Sequence, residues 1–304
     1  MSNALSDAVL DLVDASMAKN TRLTYDGAMK RFTDWCKKDD LNPLPASAET
    51  IAEYMAQLSV SGIKGSTIKT YLAGIIYHHR DAGHPDPGEH MLVQKVLRGA
   101  MRKNGMRPIQ KVPTETDSLR LVLQNVPHDL RGIRDRAILC IGFAGAMRRS
   151  EVTALEVSDL TFVSEGVRVL IRRSKTDQVA MGADIAIPWG RNLFVVEALQ
   201  DWIDAAGITE GPLFRPIYHC SILDRRMNPV IVAKVIKKYV TLAGFDAGEF
   251  SGHSLRSGFI TEAANAGVDI LTLMAHSRHR TTRQLRDYVR KADLFKRHPG
   301  ASFL

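Results

Sequence analysis

Cysteine is scarce in this 304-residue chain: Cys36, Cys140 and Cys220 are odd in number and far apart. That spacing excludes a disulfide framework and the paired pattern of a structural zinc site, and it fits a reducing cytoplasm. No apolar run approaches the ~18 residues that suggest a membrane span. The stretch from Met1 to Asp7 has neither a basic region nor a long apolar one, so no secretory leader is expected. Internal repeats and low-complexity tracts are absent as well, which leaves an ordinary globular composition of 45% apolar and 24% charged residues.

Acidic residues are also in deficit. The 33 Asp and Glu do not balance 41 Lys and Arg, and the net charge is +8. A surplus of this size suits a polyanionic partner, and equally, on charge alone, a merely solvated basic surface. The shortage is sharpest from Arg98 to Lys111, where Arg98, Arg102, Lys103, Arg107 and Lys111 occur without one carboxylate. Gly105, Pro108 and Pro113 interrupt regular structure in and just after this run. It reads as an interdomain linker that tracks a phosphate backbone, with a charged surface loop as the plainer alternative.

The length suits two domains, at roughly 100–200 residues each. Residues 1–103 read as a helical bundle. Tyr25, Met29, Phe32 and Trp35 recur at helical spacing, as do Ile51, Met55 and Leu58, and then Ile68, Leu72 and Ile75. Ser66 is the expected cap of the third helix, and a fourth runs from His90 to Arg102. Residues 104–113 form the basic linker and 114–304 the second domain. There the helical period is interrupted by three short β-type segments, Leu160–Val163, Val167–Arg172 and Gln178–Ile187. Helices resume at Leu193, and Asn228-Pro229 is a cap followed by a first-turn proline. The expected fold is mainly α: a helical bundle, then an α+β domain with a small three-stranded antiparallel sheet.

Several side chains in the second domain suit phosphate chemistry. Arg148 follows an apolar helix, and Glu151 lies one turn later. This is either a pair that fixes a turn or a planar fork for phosphate, steadied by the carboxylate. Arg149 competes for the same role. His253 and Arg256 are three apart at a helix start, so they share a face, and Gly252 before them permits close approach. Lys175 sits at a hairpin tip, where a flexible ammonium is either solvated or within reach of a leaving oxygen. Tyr288 lies among Arg278, Arg280, Arg283, Arg286 and Arg290, a basic field that eases ionisation of a phenol whose ordinary pKa is about 10. A half-buried tyrosine in a basic surface helix is the plainer reading.

In their order and spacing, these residues resemble the tyrosine recombinase (phage integrase) family over nearly the whole chain. Arg134-Asp-Arg-Ala137 leading to Gly145-Ala-Met-Arg-Arg-Ser-Glu151 is similar to its first arginine box, which Leu155-Glu-Val-Ser-Asp159 continues. Ser174-Lys-Thr-Asp177 falls at its β-hairpin lysine, and Gly252-His-Ser-Leu-Arg256 matches its HxLR box. His279 and Tyr288 match its last histidine and its nucleophile. Two positions depart from the pattern. Arg149 stands where the family usually has an apolar residue, and Ser277-Arg278-His279 stands where it often has Leu-Gly-His. Met274-Ala-His276-Ser imitates that motif but lies twelve residues before Tyr288 instead of nine, so His276 is held in reserve.

The resemblance implies a SAM-like core-binding domain at 1–103 and a catalytic domain at 114–304, with no added arm-binding domain. It implies a site-specific DNA recombinase that works through a 3′-phosphotyrosyl intermediate without metal or other cofactor. Tyr288 would be the nucleophile and Arg148 and Arg256 the phosphate ligands. Lys175 would be the general acid, His253 the proton acceptor and His279 a hydrogen-bond donor, with Glu151 supporting from behind. Double-stranded DNA and a homotetramer on two DNA sites are the implied partners, in the cytoplasm and without a membrane. The tail from Leu294 to Leu304 would pack on a neighbouring protomer. A type IB topoisomerase-like nicking-closing enzyme and a non-catalytic DNA-binding protein on the same scaffold are the alternatives.

Overall fold

The computed structural model describes residues 16–105, 113–172 and 182–283, together with residues 6, 9, 12, 285, 286 and 288. The chain divides into two compact units, Met1–Ile109 and Gln110–Leu304. No helix among the described residues is long and apolar enough to cross a membrane.

The first unit is built from helices α1 (Lys19–Cys36), α2 (Ala48–Val60), α3 (Gly65–Asp81) and α4 (Met91–Asn104). Their apolar stripes meet in one core around Phe32, Ile51, Met55, Ile68 and Ile75. Ser47 caps α2 by accepting from the Thr50 N–H at 3.1 Å. The cap expected at Ser66 is not used. α3 begins one residue earlier, at Gly65, where any Cβ would lie 2.7 Å from the Met101 Cα on α4. Close helix approach, invisible in the local pattern, sets that boundary. His79 is buried, with Nε2 accepting from the Ala46 N–H (2.9 Å) and Nδ1 facing the Ile75 carbonyl (2.8 Å).

The basic run needs a correction. Arg98, Arg102 and Lys103 are not linker residues but exposed positions on the last turns of α4, which continues to Asn104. Lys95, Arg98 and Arg102 fall at i, i+3 and i+7, so they line one stripe of the helix. Arg107 and Lys111 lie outside the described residues.

The second unit centres on α6 (Leu130–Ala144), preceded by α5 (Thr116–Gln124). α6 is buried along most of its length: the residues from Ala137 to Ala144 are unbroken apolar sequence, and Arg134 and Asp135 before them are buried as an ion pair. It packs against α8 (Val195–Ala206) and α10 (Ser254–Asn265). The short helix α7 (Arg149–Ala154) leads to an antiparallel sheet of β1 (Leu160–Val163), β2 (Gly166–Ile171) and β3 (Ala183–Pro188) in the order β1-β2-β3. Phe162 pairs with Val167, and Val169 with Ile185, so alternate β2 side chains enter the core. The hairpin tip with Lys175 lies outside the described residues. A small hairpin at Ile217–Tyr218 and Ser221–Ile222 escapes the sequence reading. Its turn is made by His219 and Cys220, both at positive φ without glycine.

Helix α9 (Pro229–Leu242) is capped by Asn228, which accepts from the Val230 N–H at 2.9 Å. It is tied to α6 through a buried network: the Tyr239 hydroxyl donates to Asp135, which also accepts from Arg134. Helix α11 (Ile270–Ser277) follows α10, and Arg283, Leu285, Arg286 and Tyr288 are again helical.

Candidate active site

Helix α6 ends in a tight turn at Gly145-Ala146, where Ala146 is left-handed (φ 44°) and the Met147 N–H returns to the Gly142 carbonyl at 3.0 Å. The turn delivers Arg148 to the N-cap of α7. Glu151, three residues on, reaches back to the Arg148 N–H at 2.9 Å and takes Arg148 Nη1 on its other oxygen at 2.5 Å. This is one half of a capping box. The other half is impossible, because a guanidinium has no acceptor.

A second guanidinium arrives from α10. His253 is its N-cap, exposed, with its N–H on Ser251 Oγ at 3.2 Å, and Arg256 lies one turn in. Arg256 is 4% exposed and donates through Nη1 to the Ala146 carbonyl at 2.6 Å. Its Nη2 lies 3.2 Å from both ring nitrogens of His279. Arg149, the competing candidate, is exposed. Its side chain lies over Gly252, where a Cβ would come within 1.9 Å of Arg149 Cδ. The group that approaches Gly252 is this exposed side chain, which a larger residue at 252 would displace.

The third guanidinium is one that the sequence reading left in the basic field around Tyr288. Arg278 closes α11 in the left-handed conformation (φ 57°) and turns inward. Its Nη2 donates to Glu151 Oε2 at 2.9 Å and to the carbonyls of Gly145 (3.0 Å) and Ala146 (3.1 Å). Its Nη1 donates to the His276 carbonyl at 2.6 Å. The signal in the sequence was the departure itself. A long side chain where a helix-ending glycine is usual needs a reason.

The two histidines of this segment separate. His276 Nε2 meets the Ala144 carbonyl at 2.8 Å, and its ring stacks on Phe259 with centroids 4.7 Å apart. It braces α11 against α6. His279 is the one that faces Arg256. Its Nδ1 lies 2.7 Å from Ser277 Oγ, whose own hydrogen goes to the Leu273 carbonyl at 2.6 Å. The Ser277 oxygen therefore accepts from Nδ1–H, and Nε2 presents a lone pair. Tyr288 is half-buried against Ile260, Ala264, Leu273 and Leu285, close enough to Arg256 for its phenolate to stabilise the guanidinium. Arg280, Arg283 and Arg286 are exposed around it.

Three guanidiniums thus meet one carboxylate. Burial opposes the charge of Glu151, yet Arg278 above all, then Arg148, hold it below the usual carboxylate range. Burial and then Arg148 push Arg256 down to about 9, so it remains charged at neutral pH. Burial and then Arg256, Arg148 and Arg278 push His279 down to about 3, so it is neutral there. The cluster carries a surplus of two positive charges, which suits an anion. Among the described residues no group of three or more His, Cys, Asp or Glu is placed to hold a metal ion.

The depressed histidine has a consequence for stability. Between about pH 6.5 and 3 the unfolded chain protonates at position 279 while the folded one does not. Stability therefore falls with pH through that window, and His276, also shifted down by burial, acts in the same direction. Thermal unfolding followed at pH 7.5, 6.5 and 5.5 should show a falling midpoint, with a shallower fall in His279→Asn. A midpoint flat across this range would contradict the arrangement.

Comparison with known proteins decides the family. The phage integrase family model matches residues 114–294. An integrase/recombinase xerD homolog from Selenomonas ruminantium is 36% identical over 291 residues, covering 93% of this chain and 85% of the relative. The chain belongs to the phage integrase family. It is a tyrosine recombinase. The recombinase cre of Escherichia phage P1 is 26% identical over 286 residues, covering 87% of this chain and 82% of cre. Among solved structures, the Tn1549 transposon integrase in complex with transposon right end DNA superimposes with a TM-score of 0.64 at 17% identity, covering 95% of this chain and 97% of that one. The XerH recombinase bound to its difH substrate gives 0.61 at 17% identity, with 87% and 74% covered. Both share the mostly helical fold with its small sheet.

Proposed function

We propose that this recombinase cuts and rejoins duplex DNA at specific sites through Tyr288. The phenol oxygen attacks a scissile phosphorus, the Tyr288 Oη–P bond forms and the P–O5′ bond breaks. The 3′-phosphate stays on the protein and a 5′-hydroxyl leaves. Lys175 gives the leaving oxygen its proton, and His253 takes the proton of Tyr288. Arg148 and Arg256 bind the non-bridging oxygens, where charge grows in the transition state. The phosphoester's free energy is kept in the covalent bond, so the freed hydroxyl of a partner strand reverses the step and strands are exchanged.

The observation that carries this reading is the surplus of positive charge at the meeting of Arg148, Arg256 and Arg278 around Glu151, with His279 and Tyr288 beside it. A phosphodiester entering there brings a negative charge next to His279. That raises the affinity of its ring for a proton, the direction that a donating Nε2 requires. Permanent cations supply the charge compensation that a metal ion gives in many nucleases, so the reaction should proceed in EDTA. Outside this site the stripe of Lys95, Arg98 and Arg102, with Arg107 and Lys111, grips the phosphate backbone. Strand exchange uses four protomers on two DNA sites, in the cytoplasm.

The test is covalent capture. Wild-type protein is mixed, in EDTA, with nicked duplexes whose inverted repeats are randomised, and adducts are isolated on a denaturing gel. Adducts enriched in one repeat sequence, and recombinant products from intact duplexes of that sequence, are expected. Supercoil relaxation with no recombinant product would replace this reading by a nicking-closing enzyme, and DNA binding without any adduct by a non-catalytic one.

A further inference from the structure

Arg278 occupies an unfavourable place twice over. A left-handed conformation (φ 57°) strains a long side chain, and glycine avoids that strain. The guanidinium is also buried, 9% exposed, where a charge is tolerated only with partners. Its partners are those Arg256 would otherwise use. Glu151 Oε1 is taken by Arg148 Nη1, while Oε2 is shared by the Arg148 N–H and Arg278 Nη2. Arg256 Nη1 is left 4.0 Å from Oε2, with the Ala146 carbonyl as its near contact. That carbonyl belongs to the other left-handed residue of the site and also accepts from Arg278 at 3.1 Å. Among the described residues, Nη2 of Arg256 lies against the neutral ring of His279.

We propose that Arg278 is a positioning residue for strand cleavage: it fills Glu151 and keeps Arg256 at long range from the carboxylate, so that the fork of Arg256 stays available to the scissile phosphate. The proposal rests on the reading of this site as a phosphodiester site. A glycine at 278 would close α11 without strain, but it would release Glu151 Oε2. Arg256 would then close the gap and form an internal ion pair, and its fork would be drawn from the phosphate. Arg278 acts through Arg256 and touches no substrate atom itself.

Arg278→Gly is the test, read on a duplex recovered by wild-type covalent capture and on the same duplex with a methylphosphonate at the scissile position. Methylphosphonate is uncharged, so it makes little demand on Arg256. On the phosphate duplex the variant should form adduct about 10- to 100-fold more slowly than wild type, with non-covalent DNA affinity within about 3-fold. On the methylphosphonate duplex the deficit should shrink to about 3-fold or less. A general loosening of the fold would slow both substrates alike, and that result overturns the proposal. So does a variant as fast as wild type on phosphate. If the wild-type protein captures no duplex, the reading of the site has failed and this proposal with it, whereas adduct from wild type beside an unimpaired variant sinks the positioning role alone. Should Arg278→Gly not fold, Arg278→Lys carries the test. One ammonium cannot serve Glu151 and two carbonyls together, so the same substrate-dependent deficit is expected.

Discussion

Arg256→Ala should slow adduct formation by about 10²–10³-fold at saturating protein. The side chain is pinned at one end by the Ala146 carbonyl and held 4.0 Å from the nearest oxygen of Glu151. Its pairing with Glu151 is therefore a long one, which leaves most of its charge for the phosphate. Arg256→Lys should recover little. The ammonium keeps the charge but not the fork that lets one nitrogen hold Ala146 while the other faces His279 and the substrate. Single-turnover cleavage of a captured nicked duplex measures both variants, with affinity followed separately on the intact duplex. A loss below about 5-fold in Arg256→Ala would remove this arginine from the chemistry.

Glu151→Ala should destabilise the second unit by about 3–5 kcal/mol, the usual consequence of removing one partner from a buried ion pair. Here the consequence is multiplied, because one carboxylate, 2% exposed, answers three guanidiniums and also the N–H of Arg148, the N-cap of α7. Losing it leaves the charges of Arg148 and Arg278 without their carboxylate next to Arg256, which burial and Arg148 already push down to about 9. Glu151→Gln keeps one acceptor oxygen, loses the charge and sets an amide NH2 against the donors of the other oxygen, so it should fall between wild type and Glu151→Ala. Sulfate should recover part of the loss in Glu151→Ala, by supplying the missing negative charge to the cluster. Urea unfolding with and without sulfate gives the numbers. A change below about 1 kcal/mol would mean that the cluster does not depend on its carboxylate.

Much of this arrangement was legible from the chain alone, and the limits have a physical origin. Helices with apolar stripes, the three strands and the Asn228 cap follow from rules that operate over three or four residues. Arg148 and Glu151 obey the same local rule, and a family pattern of ordered boxes supplied Arg256, His279 and Tyr288 as candidates. What could not be read is contact at long range. Glu151 and Arg278 are 127 residues apart, and Arg256 and Ala146 are 110 apart. Nothing in the local pattern says that Arg278 turns inward while Arg280 and Arg283 face solvent. The start of α3 at Gly65 has the same cause, since the backbone of α4 sets it. The hairpin through His219 and Cys220 was missed for a different reason: its two positive-φ residues lack the glycine or asparagine that normally announces such a turn. The basic run was misread because helix and linker can carry the same charges, and α4 continues through Lys103 to Asn104.

The central claim is that the arginine cluster holds a phosphate for attack by one phenol. Its most direct test is to digest the protein–DNA adduct with trypsin and nuclease and to locate the modified residue by mass spectrometry. A nucleotide 3′-phosphate on Tyr288, with no adduct in Tyr288→Phe, is the predicted result. The same adduct on any other residue, or undiminished in Tyr288→Phe, would contradict it.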